Sequence, residues 1–203
     1  MPRPRFDRLD AEKRDVILDA AEAEFAAHGF TRASYNRIIE QAGVSKGAMY
    51  YYFDDKADLY LTVVRRTFAG FLEIIGGLGE IKDAEGFWAA CDAMVARVGA
   101  YFMADPRRAE LARGLVRSLA EAPPQVREVL ALAQQPTREI LQVGQGVGAV
   151  RTDLPVDLIT AMLLGLGEAM DTWVATHWDS LPPKELVMIE RKLIGVMRRI
   201  CVP

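Results

Sequence analysis

The sequence predicts an all-α protein, and three observations carry the prediction. Apolar residues recur at three- and four-residue spacing along the chain, with no convincing period-2 strand. Glycines, prolines and capping side chains fall where such helices must start and stop. Hydrophobic residues make up 51% of the 203 and charged residues 26%, the composition of a globular protein able to bury a substantial core.

Taken in order, Asp10 is placed to cap a first helix running to about His28, where Gly29 supplies the stop and Phe30 packs back. The stretch Ser34 to Phe53, SYNRIIEQAGVSKGAMYYYF, then reads as two short helices joined by a tight turn. Ser34 is an N-cap, and Ile38, Ile39 and Ala42 form an apolar face. Gly43 takes a left-handed turn without a Cβ penalty, Val44 tucks into the core and Ser45 caps the second helix. That is the layout of a helix-turn-helix, whose second helix enters the DNA major groove; an ordinary helical hairpin is the alternative. Asp55 with Asp58 resembles a capping box opening a fourth helix through Phe71 or beyond, which Gly76, Gly77 and Gly79 end.

Asp83 opens the next helix, Ala84 to Ala104, and Pro106 begins another to Ala122. After Pro123 and Pro124 a helix follows to about Val143, kinked or split by Pro136. Gly144, Gly146 and Gly148 read as a flexible loop; with no strand before them and no lysine after, they do not form a phosphate cradle. From Val156 to His177, Leu158, Ile159, Met162, Leu163, Leu166, Met170 and Trp173 belong to a stripe too wide for a one-sided surface helix. In the last helix Leu186, Ile189, Leu193, Val196 and Ile200 form a heptad seam, with Val187, Ile194, Met197 and Cys201 on a second apolar edge beside it. Two seams need two partners, which a second subunit and the subunit's own core can supply; a fully internal helix is the other reading. About nine helices are expected in total.

From Asp10 to about Leu61 the chain resembles the DNA-binding domain of the TetR/AcrR family of bacterial transcriptional regulators. The matching text is ILDAAEAEFAAHGF, the Ser34 region, AGVSKGAMYYYF and DKADL, in that order and at that spacing. The resemblance implies a DNA-binding domain over 1–57 and a larger regulatory and dimerisation domain over 58–203. It implies a homodimer that binds a palindromic double-stranded operator and leaves it when a small inducer binds. Similar regulators pair through their last two helices, which here would use Leu163, Leu166, Met170, Leu186, Ile189, Leu193, Val196, Met197 and Ile200.

Carried over by position, the DNA contacts are Ser34, Tyr35, Asn36 and Arg37 from the second helix. Ser45, Lys46, Gly47, Ala48, Tyr50 and Tyr51 come from the third, and Lys56 from the start of the fourth. Lys46 suits a phosphate or a guanine edge, Ala48 a thymine methyl, and the tyrosine hydroxyls phosphates. Tyr51 stands where the family often has His, and Ile39 where a smaller residue usually packs, so the target sequence cannot be borrowed from a relative. The arm MPRPRFDR has two readings, a minor-groove contact through Arg3 and Arg5 or a disordered tail.

For the inducer, Phe87, Trp88, Cys91, Met94, Val98, Tyr101 and Phe102 lie on helical faces suited to an apolar pocket, or equally to plain core. Arg113, Arg117, Glu168 and Asp171 are the polar residues that would set the ligand's charge. Net charge is −3, and residues 1–52 hold eight Lys/Arg against eight Asp/Glu, so the first domain is not globally basic. The recognition helix carries one charge, Lys46, and its salt dependence should be moderate. Two histidines, His28 and His177, and two distant cysteines, Cys91 and Cys201, match no metal, redox or triad pattern. No enzyme, metal or cofactor is expected, and the cysteines read as buried free thiols. An all-helical carrier of an acyl or aromatic ligand, or a regulator acting as an activator, is the competing reading. With no apolar leader and no run of 18 apolar residues, the expected partners include no membrane and the expected location is the cytoplasm.

Overall fold

The computed structural model describes residues 2–104, 123–177 and 180–203. Ten helices are present among them, and no strand. They are α1 Pro4–Asp7, α2 Ala11–Arg32, α3 Tyr35–Gln41, α4 Lys46–Tyr52 and α5 Lys56–Ile75. The chain continues with α6 Ala84–Ala104, α7 Gln125–Ala131, α8 Gln134–Gly146, α9 Val156–His177 and α10 Pro183–Cys201. The expected helix from Pro106 to Ala122 lies outside the described residues.

The helices form two compact units. The first takes in residues 2–70 and, among the described residues, 123–130. Its core is built on Ile17, Phe25, Ile38, Met49, Phe53, Leu59 and Tyr60, each at most 1% exposed. Tyr60 is gripped by two rings, Phe25 edge-on at 4.8 Å and Phe30 at 5.1 Å. Arg66 of α5 ties that helix to α2 by ion pairs with Asp19 at 2.7 Å and with Glu22. The unit extends to Gly70 because α5 supplies Leu59, Tyr60, Val63 and Val64 to this core.

The second unit holds Phe71–Ala104 and Ala131–Pro203. Its core gathers Phe87, Leu141, Ala149, Val150, Ile159 and Cys201. Here the expected loop at Gly144 is corrected: α8 runs on through Gly146. Gly144 is buried, and a Cβ on it would lie 2.5 Å from Val150 Cγ2 and 2.7 Å from Phe87 Cζ. Glycine serves close packing there, which its helix-breaking character in the sequence hides. The break between α7 and α8 falls at Leu132–Ala133, so Pro136 sits in the first turn of α8, where its missing N–H has no intrahelical partner to lose.

Gly29 (φ +65°, ψ 172°) is non-helical and interrupts α2 after His28, where the sequence places the stop, and a further helical turn reaches Arg32. Two further local expectations are revised. Asp10 makes no side-chain cap; its carboxylate pairs with Lys13 at 3.3 Å. The N-terminal arm is neither free nor disordered, because residues 4–7 form α1 with Phe6 3% exposed. Among the described residues α9 is the one helix long and apolar enough to cross a membrane. It packs against α8 and α10 within the second unit.

Candidate nucleic-acid interface

The ends of α3 and α4 fix the helix-turn-helix. Ser34 Oγ accepts the Arg37 N–H at 3.3 Å and starts α3. The helix stops at Gly43 (φ +65°), where the Gly43 N–H donates to the Glu40 carbonyl at 3.2 Å and the Val44 N–H to Ile39 at 3.3 Å. That pair is a Schellman termination, with Ile39 and Val44 packed toward the core beneath it. Nothing lies within 4 Å of a Cβ placed on Gly43, so backbone handedness, not crowding, demands glycine. Ser45 Oγ then accepts the Ala48 N–H at 3.1 Å and starts α4, which Met49 and Phe53 anchor, both 0% exposed.

The other side of α4 is bare. Lys46 and Gly47 are exposed, Ala48 is half-buried, and Tyr50 and Tyr51 are each 45% exposed. Two adjacent solvent-facing tyrosines contribute little to folding and present two hydroxyls that donate and accept. A Cβ on Gly47 would meet only Ser45 Oγ, at 4.0 Å. The protein itself therefore does not require glycine there, while an approaching phosphodiester would benefit from its absence of bulk. Asn36 is exposed on α3.

Three expected contact residues are engaged internally. Arg37 turns back to Glu24, its Nη2 2.6 Å and its Nε 3.0 Å from Oε1. The Glu24 side chain is 2% exposed and also accepts the Ser34 N–H at 2.7 Å, with His28 Nε2 3.7 Å away. Burial raises the Glu24 pKa, but hydrogen bonds from Arg37 and Ser34 and the charges of Arg37 and His28 outweigh it and hold the carboxyl below its ordinary value. Tyr35 packs on Tyr50 at 5.3 Å with its hydroxyl buried and without a hydrogen-bond partner. Burial, then the neighbouring Tyr50, Asp55 and Asp58, push its pKa well up. Lys56 Nζ donates to the Thr31 and Ala33 carbonyls, each at 3.1 Å, and lies 4.9 Å over the Phe30 ring, closing the end of α2.

In the second unit a cavity of about 210 Å³ is walled by Phe87, Trp88, Cys91 and Met94. Leu72 and Ile75 of α5, Thr137 and Ile140 of α8, and Arg198 and Cys201 of α10 complete much of it. Cys91 and Cys201, 110 positions apart in sequence, thus face one cavity. Burial, reinforced by Asp92 and Cys201 and opposed by Arg198, pushes the Cys91 thiol up to about 11. Arg198, which sequence reasoning missed, lies 4.5 Å over the Trp88 ring and 4.0 Å from Asp92. Val98 and Tyr101 are not among the walls, and Glu168 and Asp171 are exposed on α9, away from it. The Phe102 side chain, Arg113 and Arg117 lie outside the described residues.

Of the expected pairing residues, Leu163 and Met197 line the cavity. Leu166, Met170, Ile189, Leu193, Val196 and Ile200 are half-buried, and the Leu186 side chain lies outside the description. Leu158, Met162 and Trp173 of α9 and Met188 of α10 are each at least 38% exposed.

A short helix braced at both ends and bare where Lys46, Tyr50 and Tyr51 project has the layout of a helix-turn-helix recognition helix. The class it defines is that of helix-turn-helix DNA-binding transcriptional regulators. The profile of the family described as "Bacterial regulatory proteins, tetR family" matches residues 17–63. The chain is 27% identical over 157 residues to the HTH-type transcriptional repressor AcnR of Corynebacterium diphtheriae, covering 74% of this chain and 75% of that one. Among solved structures, the fatty acid degradation regulator FadR of Bacillus halodurans shares the fold with a TM-score of 0.74 at 23% identity, over 94% of this chain and 97% of that one. FadR of Bacillus subtilis, solved in complex with stearoyl-CoA, has a TM-score of 0.73 at 21% identity, over 91% and 97%. The family likeness lies in residues 17–63, the segment that holds α3 and α4.

Proposed function

We propose that the protein is a homodimeric cytoplasmic repressor that binds a palindromic operator through α4 and is released by a small, largely apolar ligand. The observation that carries the DNA reading is the exposed face of α4, with Lys46, Tyr50 and Tyr51 outward and Met49 inward. Lys46, Gly47, Ala48, Tyr50 and Tyr51 make the principal contacts, with Asn36 beside them. Residues 1–57 act as the DNA-binding domain and 58–203 as the regulatory one. Repressor action is supported by the name of the Corynebacterium relative.

The ligand reading rests on the cavity. Its walls are apolar and sulfur-bearing, and its 210 Å³ is below the roughly 300 Å³ at which drug-sized pockets begin. The ligand is accordingly compact, unless the walls part to admit a chain such as the stearoyl group bound by the Bacillus subtilis FadR. Because Leu72 and Ile75 are the end of the helix that begins at Lys56, a ligand there acts on α5 directly. Release follows when the ligand favours a spacing of the two recognition helices that no longer matches half-sites one turn apart.

Selection of bound sequences from a random DNA pool at fixed salt tests the proposal, with a palindrome as the expected outcome. On that operator, Tyr50→Ala and Lys46→Ala should each weaken binding about tenfold while leaving thermal unfolding unchanged. Unchanged binding in both variants overturns the contact assignment, and a pool with no enrichment favours the carrier.

A further inference from the structure

The helix-turn-helix does not account for α1. Four helical residues at a chain end ordinarily fray, yet here the Phe6 ring lies 4.6 Å from Phe53 and 6.0 Å from Tyr52. The Arg3 N–H donates to the Tyr52 carbonyl at 2.9 Å, one of the terminal α4 carbonyls that no helical donor reaches. The Arg3 guanidinium closes on Asp54 Oδ1, through Nε at 2.9 Å and Nη2 at 2.6 Å. Between these two fastenings Arg5 Cζ lies 4.1 Å from the centre of the Tyr51 ring. Tyr52 meets the same ring at 5.8 Å, at an interplanar angle of 71°.

An exposed tyrosine at the edge of a recognition helix samples several rotamers, and ordering it on DNA weakens binding. A guanidinium stacked on its ring, carried by a backbone pinned on both sides, removes much of that freedom beforehand. We infer that α1 is part of the DNA-reading head, with Arg5 a positioning residue that holds Tyr51 in the orientation it uses on the operator. The inference rests on the proposed role of Tyr51 as a DNA contact. It differs from the minor-groove arm suggested by the sequence, because Arg3 and Arg5 are fastened to the end of α4 instead of lying free to swing into the duplex. Arg3 acts through the same device: with Asp54 as its partner it ties the chain before α1 to the chain after α4.

The test uses the full-length protein and the operator recovered by selection, with binding followed by fluorescence anisotropy at several salt concentrations. Arg5→Ala, Tyr51→Ala and the double variant are compared after thermal melts establish that each is folded. Arg5→Ala should weaken binding about two- to fivefold per half-site, with the salt slope unchanged. That loss should vanish in the Tyr51→Ala background, and both single variants should relax base preference at the same operator position. A slope lowered by about one per half-site, with a loss that persists without Tyr51, would make Arg5 a direct phosphate contact and overturn the inference. Unchanged binding in Arg5→Ala overturns it equally, leaving α1 a packing element. If Tyr51→Ala itself binds normally, the parent assignment of Tyr51 fails and the inference falls with it.

Discussion

A carboxylate inside a helical core persists only when its oxygens are partnered, and Glu24 has the Ser34 N–H, the Arg37 guanidinium and His28 around it. Its partners sit at the start of α3, so this one side chain sets how α3 leaves α2. Glu24→Gln should therefore lower stability by about 1–2 kcal/mol at pH 7, toward the lower figure because Arg37 is 49% exposed and screened. The pH dependence has a definite sign. A depressed folded pKa stabilises fully above the unfolded value of about 4.3, and the benefit is lost as pH falls through the lower folded value. Urea midpoints of the two proteins should differ at pH 7 and draw together as pH falls below about 4.3; equal midpoints at pH 7 would refute the role. Local residue assignments were legible in sequence: the Ser34 and Ser45 caps, Gly43 and buried Phe53 each depend on neighbours within a few positions. Tyr35, Arg37 and Lys56 were legible only as outward-facing, because what draws Arg37 and Lys56 inward lies 13 to 25 positions away. A signal for Arg37 did exist, since Glu24 falls on the same helical stripe as Ile17, Leu18, Ala21 and Phe25.

At the scale of elements, periodicity located the long helices and misjudged their ends. Glycine was the main source of error, because the same residue signals a stop, a kink or a close contact. Gly29 is a break in the helix and Gly144 a contact, and only partners distant in sequence distinguish them. The contact at Gly144 is testable. Gly144→Ala drives a Cβ into Phe87 and Val150 and should destabilise the protein by about 1–3 kcal/mol, despite the better helix propensity of alanine. Gly146→Ala, with nothing within 4 Å, should be neutral or slightly stabilising. Equal melting temperatures for the two variants would show that α8 and α6 yield to the added methyl. The cavity shows the same limit, since Cys91 and Cys201 carried no spacing that placed them together, and nothing in the sequence singled out Arg198.

On the scale of the whole molecule, α9 and α10 leave apolar side chains outward, with Leu158, Met162, Trp173 and Met188 all exposed. In the dimer proposed above a second copy would cover that surface, which would account for the heptad seam and for a helix as apolar as α9. Leu193→Glu should convert the dimer to monomer at micromolar concentration, read by light scattering on a sizing column; a stable dimer would return that seam to the subunit core. The bare face of α4 has a consequence beyond affinity. If α4 is the reading helix proposed above, then with Lys46 as its only charged side chain its grip would depend more on fit to particular bases and hydroxyl contacts than on the phosphate charge that every stretch of chromosome offers. Such a protein would be titrated weakly by the rest of the genome, and a small number of copies per cell would then keep one operator occupied.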